Sequence, residues 1–272
     1  MKLKVAAIQM DAGNDKRTNI ERAVALVRRA IARGAQMIVL PEVFNFRGLL
    51  SRPGVLSEIA ERIPGESIRP LRELARWHKV FILAGSVYEK VPSSKKVYNS
   101  SVLIGDRGEL LARYRKRNLF DARIGRKAIK ESKYFLAGSR LATAAVKGFS
   151  VGLSICYDLR FPPLYQAYAQ KGCHILTVPS AFTKKTGEAH WELLLRARAV
   201  ETQCFVIAPN QTGQDARGVE TYGNSMIVGP WGEVLARASA GKTEIIVVDL
   251  DMAAIKQARV ILPSVKRYKT RS

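Results

Sequence analysis

Short, unbroken apolar runs recur along this chain, among them MIVL ending at Leu40, VFILAGS from Val80, HILTVPS from His174 and CFVIAPN from Cys204. A run of this length without polar alternation is a strand buried on both faces. Both faces of such a strand must be covered, which requires helices or a second sheet layered against it. The intervening segments supply the helices. Residues 19–33 place Ile20, Val24, Val27 and Ile31 at helical spacing, with Asn19 as the expected N-cap and Gly34 closing the other end. Further helices are expected over 67–78, 163–171 and 190–201.

Strands also pair directly. VYNSSVLIG and GELLARYRK flank a turn at residues 106–108, and NSMIVGPWGEVLARAS folds back at residues 229–232. FSVGLSIC reads as a strand running to Cys156, and TEIIVVDLD as a last strand before a short helix. Strands that alternate with helices and are interrupted by hairpins predict an α/β architecture with mixed sheets. Residues 120–138 show no periodicity. No linker or repeat is visible, so one domain over 1–272 is expected, with a basic C-terminal arm from about residue 263.

The charge is uneven. Forty-five Lys and Arg against 23 Asp and Glu give +22, and residues 113–133 hold nine basic side chains against Asp121 and Glu131. Such a field attracts anions, whether a substrate, a nucleic acid or a membrane surface, or is merely a solvated surface. No apolar run reaches the ~20 residues of a membrane helix. The N-terminus reads as a strand rather than a secretory leader, so a cytoplasmic protein is expected. Cys156, Cys173 and Cys204 form no CxxC pair, and His78, His174 and His190 no metal-binding spacing. Neither GxGxxG nor a Walker A loop occurs, so neither a metal nor a nucleotide cofactor is expected.

Three ionisable residues stand just after apolar strands: Glu42 in MIVLPE, Lys116 in LLARYRK and Cys156 in VGLSIC. Strand ends hold side chains rigidly at a surface. A thiol is a nucleophile once deprotonated, a carboxylate is a general base, and an ammonium stabilises an oxyanion. The backbone N–H of Tyr157 is a second candidate donor to that oxyanion. Taken singly, such a Cys is more often core filler than nucleophile, and such a Glu or Lys is usually a solvated loop or surface residue; the three together raise the odds of a site.

Four segments in order, LPEVFNF, YRKRNLFD, SICYDLRFP and PSAFTKKTGEAHWELLLRARAVETQ, resemble the nitrilase superfamily of carbon–nitrogen hydrolases, and the resemblance spans residues 2–251. It implies a four-layer α-β-β-α sandwich, a homodimer or higher homo-oligomer, and a cofactor-free Glu–Lys–Cys triad on Glu42, Lys116 and Cys156. Glu131 falls on the family's supporting glutamate. Cys156 would attack an amide or nitrile carbon, Glu42 would carry the proton to the departing ammonia, and Lys116 would hold the oxyanion. AHWELLLRARAVETQCFVIA and YGNSMIVGPWGEVLARASAG are similar to the Nit-type amidase branch, that of omega-amidase and deaminated glutathione amidase.

Substrates of that branch are short amides bearing a carboxylate. Arg160 then reads as either the carboxylate anchor or a structural ion pair, and Thr183 as a hydrogen-bonding partner of the substrate. Asn118 and Asn224 stand where the branch usually has His, and Pro163 where it has an acid; these departures leave the substrate open. Rival readings are a carbamoyl-amide hydrolase, a nitrilase, and a polyanion binder on this fold. Tyr157, where nitrilases tend to carry Trp, disfavours nitriles. Cys173 and Cys204 read as core, His190 and Trp191 as pocket-facing at a helix start, and Trp231 as packed beneath a sheet edge.

Overall fold

The computed structural model describes residues 1–124 and 127–265, so nearly all of the expected C-terminal arm lies outside the described residues. Strands and helices are numbered in chain order. The first sheet contains β1 (Lys2–Gln9), β2 (Met37–Val39), β3 (Phe81–Lys90), β4 (Val97–Ile104), β5 (Leu110–Arg115) and β14 (Glu244–Asp251), in the order β14-β1-β2-β3-β4-β5. The second contains β8 (Thr143–Val146), β9 (Phe149–Leu153), β10 (Ile175–Thr177), β11 (Phe205–Ala208), β12 (Met226–Val228) and β13 (Val234–Arg237), in the order β13-β12-β11-β10-β9-β8.

Both sheets follow one plan. Three parallel strands, β1-β2-β3 or β9-β10-β11, are joined by crossover helices and extended by two antiparallel strands on one side and a third, β14 or β8, on the other. The crossovers are α1 (Lys16–Ala32) and α3 (Arg69–His78) in the first half, α4 (Pro162–Gln170) and α5 (Lys184–Thr202) in the second. This internal duplication is invisible as a sequence repeat, because a buried strand requires only apolar bulk and not particular residues.

Alternation along the strands explains the layers. Val5, Ala7, Met37, Val39 and Leu83 enter the core between the sheets, with Val151, Leu153 and Ile207. Their neighbours Ala6, Ile8, Ile38 and Ile82 pack under Leu26 and Val27 of α1 and Leu71 and Ala75 of α3. The fold is thus the expected α-β-β-α sandwich. Each Val, Leu, Ile or Met among these contributes about 1.5–3 kcal/mol by leaving water.

Several boundaries differ from expectation. Helix α1 starts at Lys16 because Asp15 caps it, accepting from the Thr18 N–H at 2.6 Å. Asn19 is instead buried and ties Gly13 to the Asn45 carbonyl. Helix α5 starts six residues early, at Lys184, with Thr183 as N-cap, so His190 and Trp191 lie in mid-helix. Strand β9 stops at Leu153, and Cys156 opens a single helical turn over Cys156–Arg160. Residues 120–138 contain a hairpin of β6 (Asp121–Ile124) and β7 (Lys127–Lys130). A short α2 (Val55–Ile59) and a final α6 (Met252–Ile261) complete the helices of the described residues. Trp231 is 56% exposed rather than packed beneath the sheet.

Gly85 sits at a bulge in β3, where an added Cβ would lie 1.8 Å from the Pro41 carbonyl. Only a residue without a side chain lets β3 pass the loop that carries Glu42. Gly85→Ala should therefore lower stability by about 1–3 kcal/mol in urea titration. It should reduce turnover of the folded fraction as well, because Glu42 must shift.

Candidate active site

Glu42 is clamped through its backbone. Its carbonyl accepts from Gln211 Nε2 at 2.9 Å, and the next N–H, of Val43, donates to Ser86 Oγ at 2.9 Å. Val43 has φ +47°, an unfavourable left-handed conformation for a β-branched residue. Backbone strain of this kind persists where surrounding structure enforces it, commonly beside reactive groups. The Glu42 carboxylate is buried: Oε1 accepts from Lys116 Nζ and Asn99 Nδ2, both at 2.9 Å, and Oε2 from the Ala181 N–H at 2.9 Å.

Lys116 follows β5. Its N–H donates to the Asn99 carbonyl and its own carbonyl accepts from the Gly138 N–H, each at 2.8 Å. The side chain is only 1% exposed, and Nζ also donates to Glu131 at 2.9 Å. The second Glu131 oxygen accepts from the Phe120 N–H at 2.7 Å. Burial alone would pull the Lys116 ammonium down, but the Glu131 and Glu42 carboxylates outweigh it and hold it well above its ordinary value. Burial raises Glu131, Lys116 opposes that, and Glu42 adds to it.

Cys156 also has positive φ, +47°, and its N–H donates to the Pro179 carbonyl at 2.9 Å. Burial pushes its thiol well above the ordinary range, the Glu42 carboxylate pushes it further, and Lys116 opposes both. The resting sulfur is therefore a thiol beside a carboxylate, an arrangement that requires a base to make the nucleophile.

Asp158, which sequence reasoning missed, fixes the turn. Its Oδ2 accepts from the Ile155 N–H at 3.0 Å and the Tyr114 hydroxyl at 2.7 Å, and Oδ1 from the Asn118 N–H and Nδ2 at 2.9 and 2.8 Å. One buried carboxylate thus ties the Cys156 turn to the chain on either side of Lys116. The available signal was an acid two residues past a buried cysteine. Asn118, one of the departures from the family pattern, serves this anchor with both its donors.

These groups open on a cavity of about 400 Å³ lined by Glu42, Lys116, Glu131, Cys156 and Thr183. Thr183 also caps α5. Arg160 is not among the lining residues, contrary to its reading as a carboxylate anchor. The one-turn helix directs it to α5, where Nη1 lies 3.2 Å from His190 Nδ1 and the guanidinium lies 5.2 Å from the centre of the Phe182 ring. The acidic partner of the alternative reading is replaced by this imidazole. His190 and Trp191 do not line the cavity either; Trp191 is fully buried and donates to the Asn224 carbonyl at 2.7 Å. Tyr157 follows Cys156 directly in the turn, and its ring packs on Phe120 and Phe161. Among the described residues, the cations that do line the cavity, besides Lys116, are Arg47, Lys130, Lys133 and Arg217. Among the described residues no three His, Cys, Asp or Glu side chains gather as metal ligands, and no helix is long and apolar enough to cross a membrane.

A hard-to-ionise thiol on a strained turn, a buried carboxylate against it and a buried ammonium between two carboxylates can carry out nucleophilic displacement at an acyl carbon. The architecture and site are those of a hydrolase in the nitrilase-like sandwich class. The carbon-nitrogen hydrolase family model matches residues 4–260, and the chain belongs to that family. It is 38% identical to omega-amidase NIT2 of Homo sapiens over 270 residues, covering 98% of this chain and 95% of that one. It is 38% identical to deaminated glutathione amidase of Homo sapiens over 264 residues, covering 95% and 80%. The structure of Nit3 from Saccharomyces cerevisiae, a member of branch 10 of the nitrilase superfamily, superposes with a TM-score of 0.87 at 33% identity, covering 98% of this chain and 97% of that one.

Proposed function

We propose that this protein hydrolyses the C–N bond of a small, carboxylate-bearing amide through a cysteine thioester and releases ammonia. The observation that carries the reading is Lys116 held between Glu42 and Glu131 at 2.9 Å from each, beside a buried thiol whose ionisation burial disfavours. Glu42 takes the thiol proton as Sγ bonds to the amide carbon. The carbonyl oxygen becomes an oxyanion facing the Lys116 ammonium and the Tyr157 N–H. The intermediate collapses, the C–N bond breaks, and Glu42 returns the proton to the departing nitrogen. Water, deprotonated by Glu42, then cleaves the thioester, giving the carboxylic acid and the free thiol.

The names of the two amidase relatives and the cations that line the cavity support a substrate carrying a carboxylate at its far end. Arg217 takes the place first given to Arg160. It is held by Asp215, whose Oδ2 accepts from Arg217 Nε at 2.8 Å, and it lines the same cavity as Cys156. Ammonia release from a series of short ω-amides, with neutral amides of equal length for comparison, tests the reading. Activity confined to neutral amides, or none in folded protein, sinks it. Arg217→Ala should raise KM for the carboxylate-bearing amide by about 10- to 100-fold, the worth of a charged hydrogen bond. It should leave kcat and the neutral amides nearly unchanged.

A homodimer is part of the same reading. Leu193 and Val200 of α5, Trp231 and Val234 of the β12–β13 hairpin, and Val260 and Ile261 of α6 are large apolar residues left exposed. Hydrogen bonds join these elements, Arg196 Nε to the Gly232 carbonyl and Gln203 Nε2 to the Ala258 carbonyl, so the residues form neighbouring parts of one face. A face of this kind is typical of subunit contacts. Light scattering should give the mass of two chains, and Leu193→Glu with Val200→Glu should give the mass of one.

A further inference from the structure

The strand that leads to Lys116 carries a second constellation on its other face. Side chains alternate along β5, so Tyr114 enters the core between the sheets while Arg113 and Arg115 point the opposite way. There they meet Glu89 of β3, which is buried and fully engaged. Its Oε1 accepts from Arg113 Nη1 at 3.0 Å and Arg115 Nη2 at 2.6 Å; its Oε2 accepts from Arg115 Nε at 2.9 Å and Ser100 Oγ at 2.6 Å. The Arg115 guanidinium also lies 4.1 Å above the centre of the Tyr98 ring. One buried carboxylate therefore holds two guanidinium groups side by side. Arg140 adds a third at a concavity of about 550 Å³, and among the described residues no carboxylate lines that concavity. Three arginines against one glutamate leave a local excess of positive charge in a shaped recess.

We propose that this concavity is an anion-binding site for a small phosphate-bearing molecule with at least two negative charges. Guanidinium forks match phosphate oxygens in pairs. Here Arg115 is already held by two hydrogen bonds to Glu89 and Arg113 by one, so less side-chain entropy is lost on binding than for free arginines. The recess is separate from the cavity around Cys156 and shares no lining residue with it, so its ligand is not the amide substrate. Its wall nonetheless touches the catalytic strand, since Gly138 lines the recess and donates its N–H to the Lys116 carbonyl.

Calorimetric titration of the full chain with inorganic pyrophosphate at constant ionic strength tests the assignment. Saturable binding is expected, weakened about tenfold or more in Arg113→Gln/Arg140→Gln, where charge-assisted hydrogen bonds are lost. Arg76→Gln/Lys79→Gln on and just after α3 removes the same charge elsewhere and should leave the affinity within about twofold, as distant sites act independently. Glu89 keeps Arg115 and Ser100 in the first variant, and an unchanged urea midpoint would verify its fold. Arg140→Glu, at an exposed position, should give the same loss alone. Equal weakening in the two double variants would mean diffuse attraction to a +22 surface and overturn the proposal. Unchanged affinity in Arg113→Gln/Arg140→Gln, or no saturable binding to the parent chain, would overturn it too.

Discussion

Cys156→Ala is expected to abolish ammonia release, and Glu42→Gln to lower kcat by about 10²–10⁴, the usual worth of a general base. The physical reason is the same for both. Burial and the neighbouring carboxylate keep the Cys156 sulfur protonated at neutral pH, so the nucleophile exists only while Glu42 holds its proton. Glutamine preserves the shape of Glu42 and can still accept from Lys116 Nζ and Asn99 Nδ2 through its single oxygen, but it cannot take a proton. Alkylation of Cys156 by iodoacetamide reads this step apart from the rest of turnover. At pH 7 the alkylation rate should fall in Glu42→Gln in step with kcat. A Glu42→Gln enzyme alkylated as fast as the parent would place the base elsewhere, and Glu131 would be the next carboxylate to examine.

The parts of this site that sequence made legible are those that local pattern controls. Glu42, Lys116 and Cys156 each follow an apolar run, and such a run can be recognised as a buried strand without knowing its neighbours. Their convergence was not legible, because it depends on β2, β5 and β9 being brought together by the pairing of two sheets. Glu131 became a candidate only through resemblance to a family, since the basic hairpin before it has no periodicity to locate it. Asp158 was overlooked because a buried acid is recognised by its four donors, contributed by Tyr114, Asn118 and Ile155, and two of those residues lie some 40 positions away. Arg160 went astray for a related reason. Two residues past Asp158 it appears close to Cys156, yet one helical turn aims it at His190, whereas Arg217 reaches the cavity from a loop far along the chain. Helix starts shifted wherever an Asp or Thr cap lay outside the apolar pattern, as at Asp15 and Thr183.

Lys116→Met should cost both activity and stability, and the pH dependence of the second loss identifies its cause. Methionine keeps much of the apolar stem but leaves Glu42 and Glu131 as buried carboxylates with no cation between them. Breaking a buried ion pair on one side typically costs about 3–5 kcal/mol. Glu131 is already raised by burial in the parent protein, with Lys116 working against that rise. Without Lys116 its folded value must climb further above the unfolded carboxylate value of about 4.3. A group raised on folding lends stability that is complete below its unfolded value and lost as pH rises through its folded value. The deficit of Lys116→Met relative to the parent, measured by urea titration, should therefore be smallest near the acid end of the stable range and grow towards neutral pH. A deficit independent of pH would mean that lost packing, not an uncompensated charge, is responsible. Adding Glu131→Gln removes the stranded carboxylate, so Lys116→Met/Glu131→Gln should regain stability at neutral pH beyond the sum of the single effects. It should remain inactive, because the ammonium that faces the oxyanion is still missing.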